Sequence, residues 1–283
     1  MRLDNSRESE NIEDRRGMLP AGRGKIGIGA IVLALVAIYF GVDPSVVLQN
    51  LEGSSVSQPR QGVGPATSDT ETRFVAKVLA DTEDTWGKMF QQKGWGTYKQ
   101  PKLVLYTGTT QTACGRGQAA MGPFYCPGDS QVYLDMSFFR QMAQQLHSPG
   151  DFAQAYVIAH EIGHHVQHLL GITDKIDQLR SRASATQANQ LSVRVELQAD
   201  CFAGVWAFHS NADRQTLEAG DIEEALNAAT AIGDDRLQKQ AQGYVVPDSF
   251  THGTSAQRVQ WFTRGFKSGD TGQCNTFSAN SLS

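Results

Sequence analysis

Two histidines and a glutamate stand at a spacing that suits metal chemistry: His160, Glu161 and His164, within AYVIAHEIGHHVQHLLG. Residues four apart on a helix lie one above the other, so both imidazoles can reach one tetrahedral ion through bonds of about 2.0–2.1 Å. Glu161 then stands beside the ion, where it can take the proton of a metal-activated water that attacks a carbonyl. The motif therefore predicts a hydrolytic zinc site.

A catalytic zinc needs a third protein ligand, and the segment ELQADCFAGVWA offers Glu196 for this purpose. Asp200 lies one helical turn later, where it can accept the free N–H of a ligating histidine and fix its tautomer. The two acids could instead belong to a solvated helix face. Their neighbours are small or apolar, however, and acids in such surroundings are costly without a cation, which favours a metal site.

The other nearby histidines do not supply that third ligand. The metzincin pattern needs Gly at position 167 and His at position 170, whereas this chain has Gln167 and Leu170. His168 lies a full turn beyond His164, and three successive turns span about 12 Å, too far for one ion to be bound by all three. We expect His168 to lie behind the ligands or at the helix end, and His165 to pack or form hydrogen bonds.

Three motifs in this order, HEIGHHVQHLLG, ELQADCFAGVWA and HGTSAQR, resemble those of the bacterial neutral zinc metallopeptidase family, as does the stretch GPFYCPGDSQVYLD. The resemblance covers residues from about 70 to 277. It implies a membrane-associated zinc endopeptidase of the gluzincin type, in which the third ligand is a glutamate on a later helix.

The third motif contributes His252 and Arg258. It also resembles the His-Pro-x-x-x-x-Arg element of the membrane-anchored family that includes a heat-shock protease of bacterial inner membranes and the CAAX prenyl proteases, with Gly253 in place of the proline. By this resemblance both residues are catalytic: they stabilise the oxyanion or order the site, and one such donor is worth about 10²–10³ in rate. The alternatives are a loop or capping residue for His252 and a surface ion pair for Arg258.

Apolar periodicity predicts the helices that carry these motifs. They run from Thr70 to Gln92, from Phe152 to Leu170 and from Leu191 to Phe208. Gly171 suits the end of the second helix. Asp221 with Glu224, and Thr254 with Gln257, form capping-box patterns that open two more helices.

Two extended runs, residues 102 to 107 and 131 to 135, predict strands, which we expect to pair antiparallel. The second strand is either a candidate substrate-binding edge or an ordinary sheet strand. Cys114 and Cys126 flank a Gly-rich loop that lies between the two predicted strands, and they form the favoured disulfide pair. Cys201 and Cys274 would then form a second disulfide. Four cysteines suit an oxidising compartment such as a periplasm.

Residues 26 to 42 carry no charge and are long enough to cross a bilayer as an uncleaved helix. Arginines and lysines are frequent before this run and scarce after it, which predicts a cytoplasmic N-terminus. The expected organisation is a disordered cytoplasmic tail (1–25), a transmembrane helix (26–42), a flexible linker (43–70) and a periplasmic metallopeptidase domain (71–283), held in the inner membrane.

The whole sequence thus predicts an α+β protein with a mostly helical, zincin-like catalytic domain, a small antiparallel sheet and one N-terminal transmembrane helix. The net charge of −4 gives no basic surface for nucleic acid. We expect one Zn²⁺ and a protein or peptide substrate. Two alternatives remain: a catalytically silent zinc-binding membrane adaptor, and a site for iron or manganese that acts on another substrate.

Overall fold

The structure is a computed structural model that describes residues 1–17 and 69–278. This part of the chain contains eight α-helices and a small sheet. The helices are α1 (Thr70–Lys93), α2 (Ser137–Gln144), α3 (Asp151–Leu169), α4 (Ile172–Arg180), α5 (Ala185–Arg214), α6 (Asp221–Ala231), α7 (Asp234–Gln242) and α8 (Ser255–Ser268).

Six strands within the described residues form a four-stranded sheet and a separate hairpin. The strands are β1 (Ile12–Asp14), β2 (Lys102–Tyr106), β3 (Thr109–Thr112), β4 (Gly115–Gln118), β5 (Phe124–Cys126) and β6 (Gln131–Asp135). The larger sheet has the order β1-β2-β6-β5, and β3 pairs with β4.

The predicted antiparallel pairing of β2 with β6 is wrong, because the two strands pair in parallel, with Leu103 opposite Val132 and Leu105 opposite Leu134. The β3–β4 hairpin and β5 intervene between them, and β5 pairs antiparallel to β6. β6 therefore has a neighbour on each side and is not an edge, whereas β5 lies at the edge of the described sheet. Apolar runs mark both strands as buried, but a short run does not by itself fix the direction in which two strands pair.

The helix ends follow the sequence in most places. α1 and α3 match their predicted spans, and the capping box of Thr254 with Gln257 at α8 is confirmed. The predicted capping box at α6 is wrong: Glu224 instead accepts a hydrogen bond from the backbone N–H of Phe152 in the first turn of α3. α5 begins earlier than predicted because Ser184 and Gln187 form a capping box ahead of the apolar residues.

The N-terminal residues are folded, which contradicts the expectation of a disordered tail. β1 pairs in parallel with β2, and Met1 and Leu3 are buried in the main core. Residues Met1–Arg16 belong to the same compact unit as the helices. The tail lacks an apolar period, yet one short strand and two apolar side chains are enough to attach it to the domain.

None of the helices in the described residues is long and apolar enough to cross a membrane. The predicted transmembrane helix at 26–42, and the predicted linker up to residue 68, lie outside these residues.

The predicted disulfides, Cys114–Cys126 and Cys201–Cys274, are both present. The second joins the segment after α8 to the middle of α5. The helices α8 and α5 also pack very closely, because a Cβ atom on Gly265 of α8 would lie 2.0 Å from the carbonyl oxygen of Cys201 on α5. α5 thus becomes the scaffold against which α3 and α8 are held.

Candidate metal centre

Gly163 brings the two metal-binding helices together. A Cβ atom at this position would lie only 2.9 Å from the carbonyl oxygen of Ala199 on α5, and any larger residue would push α3 and α5 apart. Because Gly163 lies between His160 and His164 along α3, the close contact holds both imidazoles against the face of α5 that carries Glu196.

The three predicted ligands converge. The Nε2 atom of His160 lies 3.1 Å from one carboxylate oxygen of Glu196, and the Nε2 atom of His164 lies 3.4 Å from the other. Ligands of a tetrahedral ion with bonds of about 2.0–2.1 Å are separated from one another by about 3.3–3.4 Å. The observed spacings are close to that value, so two imidazoles and a carboxylate fit Zn²⁺ in both chemistry and spacing.

Both imidazoles are fixed in the tautomer that a metal requires. The Nδ1 atom of His160 lies 2.8 Å from an Asp200 oxygen, and the Nδ1 atom of His164 lies 2.9 Å from the side-chain oxygen of Gln167. Since both partners accept, each Nδ1 donates and each Nε2 presents its lone pair. This contact of Gln167 was not predicted, although its position three residues after His164 places it on the same helix face.

Asp200 is fully buried and accepts three further hydrogen bonds, from two groups, besides its contact with His160. The Tyr156 hydroxyl donates to it at 2.5 Å, and the Arg258 guanidinium donates through Nε at 2.8 Å and Nη2 at 2.9 Å. The remaining Arg258 nitrogen faces the carbonyl of Ile232 at 3.4 Å. Arg258 therefore contacts the carboxylate behind the ligand, a position that corresponds to the ordering role rather than the oxyanion-donor role of the two that the resemblance suggested.

The charges of the centre favour a cation between its carboxylates. Burial alone would lower the pKa of His160, but Asp200 and Glu196 raise it to about 10. Burial likewise would raise the pKa of Asp200, yet Arg258 and His160 lower it to about 2, and the pKa of Glu196 is also held well below its usual value, chiefly by His164. A divalent cation supplies the same positive charge in place of the imidazole protons.

Glu161 lines the same cleft, which has a volume of about 620 Å³, together with the three candidate ligands and His252. His252 belongs to the loop before α8. Asp234 holds this loop by accepting from the backbone N–H of His252 at 2.6 Å, and it faces the Nδ1 atom at 3.2 Å. This hydrogen bond raises the pKa of His252, so the imidazole is a stronger candidate donor into the cleft.

The other histidines of α3 bind elsewhere, as expected. Nδ1 of His168 lies 2.7 Å from the Tyr125 hydroxyl. His165 is buried; its Nε2 donates to the Lys99 carbonyl at 2.6 Å, and its Nδ1 faces the same Tyr125 hydroxyl at 3.0 Å. Tyr125 thereby fastens the edge strand β5 to the helix of the metal site.

A second group of acids, Asp151, Asp221 and Glu224, has the spacing of a cation site at the start of α3. The amino group of Met1 already lies among them, 2.8 Å from Asp151 and 3.2 Å from Asp221. These acids therefore already have a cationic partner in the Met1 amino group.

Comparison with known proteins agrees with this geometry. The family described as "putative neutral zinc metallopeptidase" matches residues 1–277. The chain belongs to this family. The match includes the N-terminal segment that pairs with β2 as well as the metal-site helices.

Relatives of similar length are found in Escherichia coli and in Mycobacterium tuberculosis. The chain is 55% identical to "Uncharacterized protein YpfJ" of Escherichia coli (strain K12), over 98% of this chain and 99% of the relative. It is 40% identical to "Uncharacterized protein Rv2575" of Mycobacterium tuberculosis, over 87% of this chain and 86% of the relative. No solved structure matches the chain significantly.

Proposed function

We propose that this member of the family is a zinc endopeptidase that hydrolyses peptide bonds in the cleft between α3 and α5. The observation that carries the proposal is the convergence of two imidazole Nε2 atoms and the Glu196 carboxylate, 3.1 and 3.4 Å apart, in a cleft that Glu161 also lines. A purely structural zinc site would have no use for that glutamate.

His160, His164 and Glu196 would hold the ion. When bound, Zn²⁺ acts as a Lewis acid that polarises the scissile carbonyl and the attacking water. Glu161 accepts the proton of that water and passes it to the leaving amine. Asp200 and Gln167 keep the two imidazoles in place throughout.

His252 would donate a hydrogen bond to the oxyanion that forms on the substrate. Its imidazole lines the cleft, and Asp234 fixes both its loop and its Nδ1 atom. Arg258 acts indirectly in this scheme, because its guanidinium neutralises and orients Asp200.

An extended substrate would lie along β5, which replaces β6 in the role that the sequence analysis suggested. β5 is one of the two edge strands of the described four-stranded sheet, the other being β1, and Phe124 and Tyr125 of β5 line the cleft. An exposed strand edge can accept a peptide as an additional strand.

An oxidising compartment suits the protein, because both cysteine pairs are joined. We retain membrane attachment through residues 26 to 42 and a periplasmic catalytic domain as parts of the proposal. The uncharged run at residues 26 to 42 and the two disulfides support them.

The experiment that tests the activity is Glu161→Gln. We expect the variant to keep about one zinc per chain and to lose hydrolysis of a denatured protein by about 10²-fold or more, because the general base is absent while the ligands remain. Metal analysis and a gel-based cleavage assay provide the two measurements. Glu223→Gln on the exposed face of α6 is the matched control and should behave as wild type.

Equal behaviour of wild type and Glu161→Gln towards every substrate offered would contradict the proposal and favour the silent adaptor. Stoichiometric iron or manganese in protein isolated from its native source would favour the alternative metal.

A further inference from the structure

The cleft has two chemically distinct parts. Every ionisable acid, histidine or arginine among its lining residues belongs to the metal centre described above or to its immediate supports. The rest of the lining is almost entirely apolar. One wall, here called the apolar wall, consists of Met121, Pro123, Phe124, Phe138, Leu146 and Val157.

The apolar wall runs from the sheet edge to the catalytic glutamate. Met121 and Pro123 lie in the segment that leads into β5. The ring of Phe138 on α2 packs against this segment, since a Cβ atom on Gly122 would lie 3.4 Å from it. Val157 is four residues before Glu161 on α3 and so lies on the same helix face. A side chain that contacts the Val157 end of this wall would therefore lie close to Glu161.

The wall contains exposed apolar surface. The Met121 side chain is 65% exposed although it is large and apolar. Phe124, Phe138 and Leu146 are only partly buried. Exposed apolar surface that lines a concave site is typical of a ligand-binding region, because a ligand removes it from water.

We infer that the apolar wall is a substrate subsite for one large apolar side chain, such as that of Leu, Ile, Met or Phe, beside the scissile bond. The inference rests on the proposed peptidase function and adds a substrate class to it. Burying a side chain of this size from water favours binding by about 10- to 100-fold.

The same surface disfavours acidic residues. A carboxylate placed against the wall would lose water without gaining a hydrogen-bond partner, because none of the six side chains that form the wall can donate one. We therefore expect cleavage next to apolar residues and little cleavage next to Asp or Glu.

The first test is the cleavage profile of the zinc-loaded protein in a degenerate peptide mixture, read by mass spectrometry. In wild type, one position beside the cleaved bond should be enriched about tenfold or more in large apolar over acidic residues. Met121→Asp should shift that position towards Lys and Arg by several fold. Leu179→Asp is the matched control, because Leu179 is also a largely exposed apolar residue (55%) but lies on α4 outside the cleft.

Cleavage with no such enrichment, or a Met121→Asp profile identical to that of wild type, would overturn the subsite and leave the peptidase activity standing. Absence of cleavage would instead count against the proposed function, so a second measurement is needed that does not depend on turnover.

That measurement is binding of two dipeptide hydroxamates to zinc-loaded Glu161→Gln. The two probes carry the same zinc-binding group and differ in one side chain, isobutyl or carboxymethyl. The isobutyl probe should bind about tenfold or more tightly, and adding Met121→Asp should remove most of the difference. Equal affinities would overturn the subsite, whereas zinc-dependent binding of neither probe would overturn the metal centre and the subsite with it.

Discussion

At the scale of single residues, Asp200 joins the metal ligand to the rest of the domain. It accepts from His160, Tyr156 and Arg258 and has no exposure to water. An asparagine at this position would leave the buried Arg258 without its counter-ion and would change the acceptor that fixes His160. Partners of this kind typically contribute 10- to 100-fold to metal affinity.

We therefore expect Asp200→Asn to lower zinc affinity by about 10- to 100-fold and the free energy of unfolding by about 3–5 kcal/mol. Competition with a chromogenic chelator and urea denaturation measure the two effects. Asp213→Asn on the same helix is the control, since its partner Lys88 is half exposed and the loss should stay below about 1 kcal/mol. Unchanged zinc affinity in Asp200→Asn would contradict the role of this carboxylate.

His252→Ala tests the proposed oxyanion donor. We expect kcat to fall by about 10²–10³ with little change in KM or in zinc content, because the lost hydrogen bond forms only in the transition state. Steady-state kinetics on a cleaved peptide provide the measurement. The control is His147→Asn, an exposed histidine at φ 53°, a conformation that asparagine tolerates. A variant that changes KM alone would assign His252 to substrate binding.

The sequence identified the converging trio because the spacing of residues on a helix is fixed by geometry. It could not assign Tyr156 and Gln167, since each contacts the site only after the helices are packed, although both lie at helical spacing from a ligand. Arg258 shows the same limit: its type and position suggested the site, but only the packing of α8 on α5 determines which group it meets.

At the scale of elements, the distance between α3 and α5 controls the metal site. Gly163→Ala would place a methyl group 2.9 Å from a backbone oxygen that cannot rotate away. We expect this variant to lose about 1–3 kcal/mol of stability through overpacking and to bind zinc more weakly as Glu196 moves away from the imidazoles.

Gly87→Ala in α1 is the matched control for helix propensity. Nothing lies within 4 Å of the added Cβ atom there, so the substitution should stabilise the protein by about 0.5–1 kcal/mol and leave zinc binding unchanged. Thermal denaturation with and without zinc compares the pair. If Gly163→Ala gained stability like Gly87→Ala, the close packing of the two helices would not be the constraint we describe.

Strand direction was the part of the fold that the sequence left undetermined. The apolar runs at β2 and β6 identify two buried strands, and the direction of pairing depends on the path of the residues between them. The N-terminal strand was missed for a related reason. Three residues carry too little periodicity to be recognised, and the burial of Met1 and Leu3 appears only in the assembled core.

At the scale of the whole molecule, the position of the N-terminal segment restricts how the chain can meet a membrane. The β1–β2 ladder joins residues 1–16 to the rest of the domain. An Arg16 nitrogen also lies 3.1 Å from an Asp69 oxygen, so the described residues on either side of segment 18–68 are close together. A single crossing at residues 26 to 42 would put β1 and β2 on opposite faces of the bilayer.

Two of the basic residues that suggested a cytoplasmic N-terminus form ion pairs within the folded domain. Arg7 binds Glu83 and Asp84 of α1, and Arg15 binds Glu13 within β1. Basic residues that serve the folded domain carry less weight as a signal of membrane orientation. We expect residues 1–16 to lie on the same side of any membrane as residues 69–278, because the β1–β2 ladder joins them.

Cysteine labelling in whole cells tests this expectation. The native cysteines are paired, so Asn5→Cys and Ser181→Cys each introduce a single reactive thiol at an exposed position, one in the N-terminal segment and one after α4. A membrane-impermeant maleimide should label both sites or neither in spheroplasts, and both after lysis. Labelling of position 181 with protection of position 5 would show that the chain crosses once and that the β1–β2 ladder does not form in the cell.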